Sequence, residues 1–368
     1  MARKVLILTE ANDIHAIAVA QALEQKGAEV ALWATSDFPT RSDESIHYDA
    51  QGRRDIRLHG ADLHLENPVF DTVWRRRPAY VVDRDSLHPA DWAFANGECG
   101  MFRRSLFHLI APGAFWVNPI AGAALAGSKL LQHEAAVKVG LRMPETLFTN
   151  SPEEIRQFLS RENEVIYKPL DGGGWQSGDA QFLPYTAVLA EEDLVGDEVL
   201  RQTPGIFQER IPKAYELRVT VMGRHALAAK VLSQQTENGK VDWRRSNDEL
   251  QFEPTFLPPE VELQCAALLD ELGLVFGCFD FIVTPEGEYV FLEVNEMGQF
   301  LFIERCCGMP LLDAFSEFLL QGRVDFHWSQ DAVRVRYTDS EFEAGALARL
   351  REFQGRHRAV PDALVTEE

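Results

Sequence analysis

Two acids and an amide stand at spacings suited to metal chemistry in the stretch Phe279-Asp280-Phe281-Ile282-Val283, Thr284-Pro285-Glu286-Gly287-Glu288, Tyr289-Val290-Phe291-Leu292-Glu293-Val294-Asn295. Both arms are rich in aromatic and β-branched residues. Pro-Glu-Gly between them supplies a preset φ and a residue that tolerates positive φ, so the stretch predicts a hairpin. Side chains alternate across a strand, which puts Glu293 and Asn295 on one face. A connection of two or four residues sets Asp280 opposite Glu293, with Cβ atoms about 4.5–5.5 Å apart. A three-residue connection sets them on opposite faces. Carboxylates that face each other between apolar neighbours repel and lose water, and a divalent cation offsets both costs. The oxygen-only, incomplete donor set of Asp280, Glu293 and Asn295 suits Mg²⁺, which fills its octahedron with water and phosphate oxygens. The alternative is a solvated hairpin end whose acids point at water.

Anion-binding chemistry is suggested upstream. Val165-Ile166-Tyr167-Lys168-Pro169 reads as a strand running into Asp171-Gly172-Gly173-Gly174-Trp175-Gln176-Ser177-Gly178. A glycine loop leaving a strand can lay backbone N–H groups on a phosphate and close as a lid, and Lys168 adds a charged donor at its base. The competing reading is a plain surface turn. Glu216 and Arg218, two apart, share a strand face and form either a structural ion pair or a ligand clamp. Arg244, in Asp242-Trp243-Arg244-Arg245, is either a further guanidinium for the site or a solvated loop charge. Two look-alikes are set aside. Gly122 to Lys129 spells G-x-x-x-x-G-S-K, with the Ser and Lys of a P-loop reversed and no clear strand before it. His59, Asp62, His64 and Glu66 are irregularly spaced in a polar segment, which predicts a solvated loop and not a metal cluster.

The elements that must carry these residues follow from periodicity. Val5 to Leu8 is a strand, Ile14, Ile17, Ala18 and Ala22 mark one face of a helix ending at Gly27, and Glu29 to Trp33 is the next strand, a βαβ pattern with a parallel sheet. Ile46 to Leu58 predicts a hairpin turning at Asp49-Ala50-Gln51-Gly52. Asp71 to Arg77 is a strand, and Pro89 to Leu109 a helix. Gly122 to Gly140 reads as one small-residue helix, and Pro152 to Leu159 as another. Strands follow at Gly205 to Ile211, Tyr215 to Met222 and His225 to Leu232, then a helix over Pro258 to Leu272. Phe342, Ala346, Leu350 and Phe353 mark a C-terminal helix, with a polar tail after Pro361. The expected division is 1–118, 119–204 with the glycine loop, 205–325 with the metal site, and an extension over 326–368.

Composition narrows the partners. The 368 residues carry 57 acidic and 36 basic side chains, a formal charge of -21, so no basic surface exists to displace counterions from nucleic acid or to seek an anionic membrane. Any anionic ligand must be held by a local group of Lys and Arg. The five cysteines, Cys99, Cys265, Cys278, Cys306 and Cys307, lack metal spacing and predict a reducing compartment, the cytoplasm. The apolar run from Phe107 to Gly127 is broken by Pro112, Asn118 and Pro119 and is no membrane span.

Lys168-Pro169 before a glycine loop, Gln208-Glu209-Arg210-Ile211, Glu216-Leu217-Arg218-Val219, Asp280 and Glu293-Val294-Asn295 together resemble the nucleotide and Mg²⁺ signature of the ATP-grasp ligases. Val5-Leu6-Ile7-Leu8, Asp13-x-His15-Ala16, Phe38-Pro39, Val73-Trp74-Arg75-Arg76, Asn118, Lys129, Gly140-Leu141, Pro144-x-Thr146, Thr149-Asn150, Asp242-Trp243-Arg244 and Gly298-Gln299-Phe300-Leu301-Phe302-Ile303-Glu304 are similar to the microviridin-type peptide ligases, the graspetide maturases of ribosomally made peptides. The likeness runs over about residues 4–325.

The resemblance implies an α/β ATP-grasp fold: an N-terminal βαβ pre-ATP-grasp domain, a central helical and lid region, and a C-terminal antiparallel-sheet nucleotide-binding domain. It implies ATP and Mg²⁺ as cofactors, a precursor peptide with a leader segment as partner, and a homodimer, with neither nucleic acid nor membrane involved. Lys129 and Lys168 would contact phosphates, Gly172, Gly173 and Gly174 form the lid, Gln208, Glu209, Arg210 and Ile211 meet adenine, and Glu216 hold ribose. Arg218 and Arg244 would face the γ-phosphate or acyl phosphate, and Asp280, Glu293 and Asn295 bind Mg²⁺. The implied reaction converts an Asp or Glu side chain to an acyl phosphate, which a hydroxyl or amine of the same peptide attacks to give an ester or amide ring. A ligase for a free amino acid or other small carboxylate shares every nucleotide residue and is the alternative; a non-catalytic peptide-binding module would not need the intact Asp280, Glu293, Asn295 and Lys168. Two departures stand out: Glu296-Met297 where the family has Pro after the Glu-Val-Asn motif, and the extension from Asp325 to Glu368.

Overall fold

The computed structural model describes residues 2–360 apart from Asn163, Asp171, Gly173, Gly174, Gly178, Asp179, Leu183, Pro184, Glu237, Asn247, Asp248 and Glu249. The expected polar tail therefore lies outside the described residues, as do two of the three lid glycines. The chain is mixed α/β, and it divides into two compact units that interleave along the sequence.

One unit comprises Met1–Ile120, Met222–Arg224 and Gln299–Pro361. Its centre is a parallel sheet in the order Glu29–Ala34, Lys4–Thr9, Thr72–Arg75, Phe115–Val117. The βαβ reading holds. Asp13 starts the Ile14–Gln25 helix by accepting from the backbone N–H of His15 at 2.9 Å, and Gly27 at φ +87° lets the chain reverse into the next strand. The central strand Lys4–Thr9 is apolar on both faces, as a covered parallel sheet requires: Leu6, Leu8, Val73, Leu106 and Ile110 pack on one side, and Trp74 meets Phe315 at 4.9 Å on the other. The predicted hairpin forms from Asp43–Tyr48 and Arg54–His59, and His64–Glu66 adds a third antiparallel strand. The predicted C-terminal helix is Ser340–Arg356, with Phe342, Ala346 and Phe353 buried.

The second unit takes Ala121–Val221 and His225–Gly298. A four-stranded sheet runs Ala187–Leu189, Val165–Lys168, Gly205–Glu209, Thr146–Thr149, with every neighbouring pair antiparallel. A five-stranded sheet runs Phe252–Thr255, His225–Val231, Tyr215–Met222, Phe276–Val283, Tyr289–Asn295. One face of the latter closes over Leu217, Val219, Phe279, Phe281, Phe291 and Val294 against Val261, Cys265, Leu268 and Leu272 of the Pro259–Leu272 helix.

The single helix expected from Gly122 to Gly140 is two, Ile120–Ala126 and Lys129–Lys138. Gly127 is a poor helix former and Ser128, whose side chain accepts from the backbone N–H of Leu131, caps the second piece, so the break is local chemistry. The glycine that began the P-loop look-alike has a packing role: a Cβ on Gly122 would sit 2.1 Å from the carbonyl oxygen of Gly273. Beyond Lys168, Trp175–Ser177 and Ala180–Phe182 pair antiparallel, a hairpin that the glycine content alone did not predict. Among the described residues all five cysteines are free, and no helix is long and apolar enough to cross a membrane.

Candidate active site

The acid hairpin forms from Phe276–Val283 and Tyr289–Asn295, and its register corrects the expectation about loop length. Five residues separate the paired ends Val283 and Tyr289, an odd number that by itself would set Asp280 against Leu292. A bulge between Asp280 and Phe281 on one strand shifts the register, leaves Leu292 as the extra residue, and brings Asp280 opposite Glu293. Cys278 pairs with Asn295 next in the ladder.

Cations surround the two acids. Arg218 donates from Nη1 to Asp280 Oδ2 at 2.9 Å, with the guanidinium almost fully buried. Lys129, the first residue of its helix, reaches Glu293 Oε2. Gln132, one turn on, fixes that reach: its Oε1 accepts from the Val294 N–H at 2.9 Å while its Nε2 donates to the Val294 carbonyl at 2.9 Å, tying the helix to the strand beside Glu293. Lys168 donates to Gln208 Oε1 at 3.0 Å, and Gln208 donates onward to Thr146 Oγ1 at 2.9 Å, across three adjacent strands. Arg244 grips Asp242 with two bonds, Nε to Oδ1 at 2.9 Å and Nη2 to Oδ2 at 2.7 Å. Asp242 also accepts from the Thr186 N–H at 3.2 Å.

The postulated Glu216–Arg218 ion pair does not form. Arg218 has gone to Asp280, and Glu216 takes Lys213 at 3.0 Å, whose ammonium also donates to the Val241 carbonyl at 3.0 Å. Both side chains lie on one strand face as alternation required, but each finds a stronger partner from a neighbouring element. Arg244 is likewise no loosely solvated loop charge. Glu209 accepts from the Glu145 N–H at 3.2 Å, Arg210 pairs with Glu164 at 2.9 Å near the surface, and Ile211 is buried with Ile282 and Val290. Gly172 is exposed; Gly173 and Gly174 lie outside the described residues.

The electrostatics follow the crowding. Burial drives the Asp280 carboxyl upward, the Arg218 guanidinium opposes this, and the facing Glu293 adds to it. Glu293 is also desolvated, yet Lys129, then Lys168 and Arg244, more than offset that and hold it down at about 2. Burial pushes Lys168 below the ordinary lysine value, against the pull of Glu293. Burial raises Glu216 against the pull of Lys213. Lys129, Lys168, Lys213, Arg218 and Arg244 thus serve four carboxylates, Asp242, Glu216, Asp280 and Glu293, so the cluster carries surplus positive charge in a chain of net charge -21. That surplus suits a polyanion. The facing acids, oxygen donors only, fit a hard divalent ion, which would compete with Lys129 for Glu293 and release the ammonium toward phosphate.

Comparisons with known proteins bear on the fold and the family. Residues 4–121 match the model of the MvdD pre-ATP grasp domain. The fold superposes on the macrocyclase MdnC from Microcystis aeruginosa, solved with its precursor peptide MdnA, at a TM-score of 0.76 and 30% identity, covering 86% of this chain and 99% of that one. The chain belongs to the microviridin-type ATP-grasp macrocyclases. A Chryseobacterium gregarium RiPP-associated ATP-grasp ligase, solved with ADP and a leader and core peptide, is similar at a TM-score of 0.76 and 28% identity over 87% of this chain and 96% of that one. A protein named a probable alpha-L-glutamate ligase, from Shewanella amazonensis, is 26% identical over 70% of this chain and 79% of its own length. The chain is accordingly an ATP-grasp ligase, and nucleotide and Mg²⁺ binding are general properties of such enzymes.

Three positioning residues escaped the sequence reading. Gln132 was visible in principle as the i+3 neighbour of Lys129 on one helix face, whereas Lys213 precedes the strand that carries Glu216 and no spacing rule announces that pair. Asp242 was noticed only as part of a motif, because nothing local says that it grips Arg244.

Proposed function

We propose that this macrocyclase activates Asp or Glu side chains of a ribosomal precursor peptide as acyl phosphates and closes them onto a Thr or Ser hydroxyl or a Lys amine of the same peptide. The observation that carries the reading is the cationic cluster around the Asp280–Glu293 pair, in a chain whose relatives were solved with precursor peptides. In this reading Lys129 and Lys168 bind phosphates, Gln208 to Ile211 border adenine, Glu216 meets ribose, and Gly172 to Gly174 cover the nucleotide. Asp280, Glu293 and Asn295 hold Mg²⁺, which when bound neutralises phosphate oxygens and aligns them. Arg218 stays with Asp280 and fixes its orientation, while Arg244, half-exposed and pre-set by Asp242, presents its free edge to the transferring phosphoryl group. The substrate carboxylate attacks the γ-phosphorus and ADP leaves; the peptide nucleophile then displaces phosphate and gives up its proton. Water must be kept out of the closed site, since it hydrolyses the acyl phosphate. A leader held away from the phosphates raises the effective concentration of the core. The same reading takes a homodimer as the working form, and light scattering of the purified chain should then return twice the monomer mass.

Incubating enzyme, ATP, Mg²⁺ and a candidate precursor encoded near the gene should remove one water per ring and yield ADP and phosphate. AMP as the stoichiometric nucleotide product overturns acyl-phosphate chemistry. ATP-dependent coupling of a free amino acid, without dehydration of any peptide, moves the assignment to the second reading, a small-carboxylate ligase, which the similarity to the alpha-L-glutamate ligase favours.

A further inference from the structure

The segment set aside as a solvated loop is solvated at Asp62, His64 and Glu66, but a strand pair flanks its turn. His59 ends the strand Arg54–His59, and His64 begins the edge strand His64–Glu66, with the two histidines directly paired in the antiparallel register. The turn between them is closed by the Gly60 N–H donating to the Leu63 carbonyl at 2.7 Å. Asp62, at its tip, is held from outside: its carboxylate meets His357 Nε2 at 2.9 Å and Arg356 at 3.2 Å. A cross-strand pair beside a four-residue turn, anchored in this way, has little freedom to splay.

We propose that His59, His64 and Glu66 form a binding site for a borderline divalent ion of the Zn²⁺ type. The imidazole rings stack with centroids 3.8 Å apart and 11° between planes. One donor atom from each of the three residues lies within 4.8 Å of the other two. Alternation puts Glu66 on the same face as His64, and register puts it diagonal to His59, so the convergence is a property of the backbone. Holding one ion at the ~2.0–2.2 Å ligand bonds of zinc requires the rings to turn about χ2, a soft torsion, out of their near-parallel stack. His59 Nε2 is a buried nitrogen without a hydrogen-bond partner among the described residues, which marks this ring as incompletely satisfied. Asp43 pairs with His59 on the other side, adding negative charge to the same row. Two imidazoles and one carboxylate are a donor set for Zn²⁺, unlike the oxygen-only set at Asp280 and Glu293, so the two sites select different metals. Three protein donors leave a coordination position for water or a ligand.

The test uses the untagged full chain, stripped with EDTA and desalted, then titrated with ZnCl₂ by calorimetry and thermal melting. One Zn²⁺ per chain should bind and raise the melting temperature. His64→Ala and Glu66→Gln, both at the exposed edge, should weaken binding about tenfold or more while melting like wild type in EDTA. Glu293→Gln should bind Zn²⁺ unchanged. Absence of binding, binding retained in His64→Ala, or binding lost in Glu293→Gln would each overturn the proposal.

Discussion

Two groups of charges, one in each unit, are held in opposite ways. In the N-terminal unit, whose surface pairs such as Arg53–Asp49 are open, two ion pairs are sealed: Asp13 and Arg76 are each 2% exposed at 3.1 Å, and Lys26 and Asp313 each 1% exposed at 2.8 Å. There Glu304, fully buried and pushed up to about 7 by burial, spends both oxygens on the backbone N–H groups of Leu312 and Tyr337. In the acid-hairpin cluster of the second unit, where Arg218 and Asp280 are themselves nearly sealed, Lys129 and Glu293 keep 28% and 32% of their side chains exposed, Arg244 keeps 44%, and five cations serve four acids. A sealed, balanced pair can only be kept or broken, whereas an open, unbalanced cluster can exchange partners. The first is architecture and the second is a ligand site. His15 shows how easily the two are confused from sequence: it belongs to a motif shared with the macrocyclases, and its Nε2 accepts from the Phe300 and Leu301 N–H groups at 3.2 Å, inside the N-terminal unit.

Breaking a sealed pair should give the largest effect. Asp13→Ala removes a helix cap and the buried carboxylate that faces the Arg76 guanidinium, which should cost about 3–5 kcal/mol of stability in denaturant unfolding. A smaller loss than that of a surface mutant such as Arg53→Ala would contradict the architectural role.

Glu293→Gln tests the other side of the contrast. It relieves a facing pair of acids but gives up the charge that Lys129, Lys168 and Arg244 hold ionised, so the melting temperature should fall only modestly, while kcat for ATP-dependent ring closure falls by about 100-fold or more. Wild-type turnover in this variant would remove the hairpin from the site. Between the extremes lies Gln132→Leu, which leaves both polar groups of Val294 without their partner and frees the helix that aims Lys129. A stability loss of about 1–3 kcal/mol should come with a raised KM for ATP. Stability loss without any change in KM would make Gln132 purely structural.

Periodicity made the frame legible. The βαβ start, both hairpins and the C-terminal helix follow from residues that report their own local environment. The partners were not legible. Nothing near Asp280 announces the bulge that leaves Leu292 unpaired, although without it the metal acids would part. Arg218 and Glu216 share a face as alternation demands, and yet choose Asp280 and Lys213, because pairing energy depends on which strands become neighbours. The opposition of His59 and His64 was not legible for the same reason: irregular spacing along the chain became direct pairing once the chain turned at Gly60.

The smallest expected effect sharpens the comparison by asking whether any sealed charge in the N-terminal unit still titrates near neutrality. His357, just past the C-terminal helix, places Nδ1 2.7 Å from Asp37 and Nε2 2.9 Å from Asp62, while Arg358 donates its N–H to Asp37 at 2.8 Å. Burial works against a charged ring, but Asp37 and then Asp62 outweigh it and raise the imidazole above its ordinary 6.5. A raised folded value means that the contribution is fully present below the unfolded value and is lost as pH climbs through the folded one. Melting temperature should therefore fall with pH from about 6.5 upward, and His357→Gln should flatten that slope while leaving kcat intact. Arg356 and Arg358 keep their charge throughout this range, but Glu304 and Glu44, both raised to about 7 by burial, also titrate there, so it is the difference between wild type and His357→Gln that isolates the ring. An unchanged slope in His357→Gln would mean that the clasp is held by Arg358 and apolar packing alone, and that the N-terminal unit has no titrating charge near neutrality at this position.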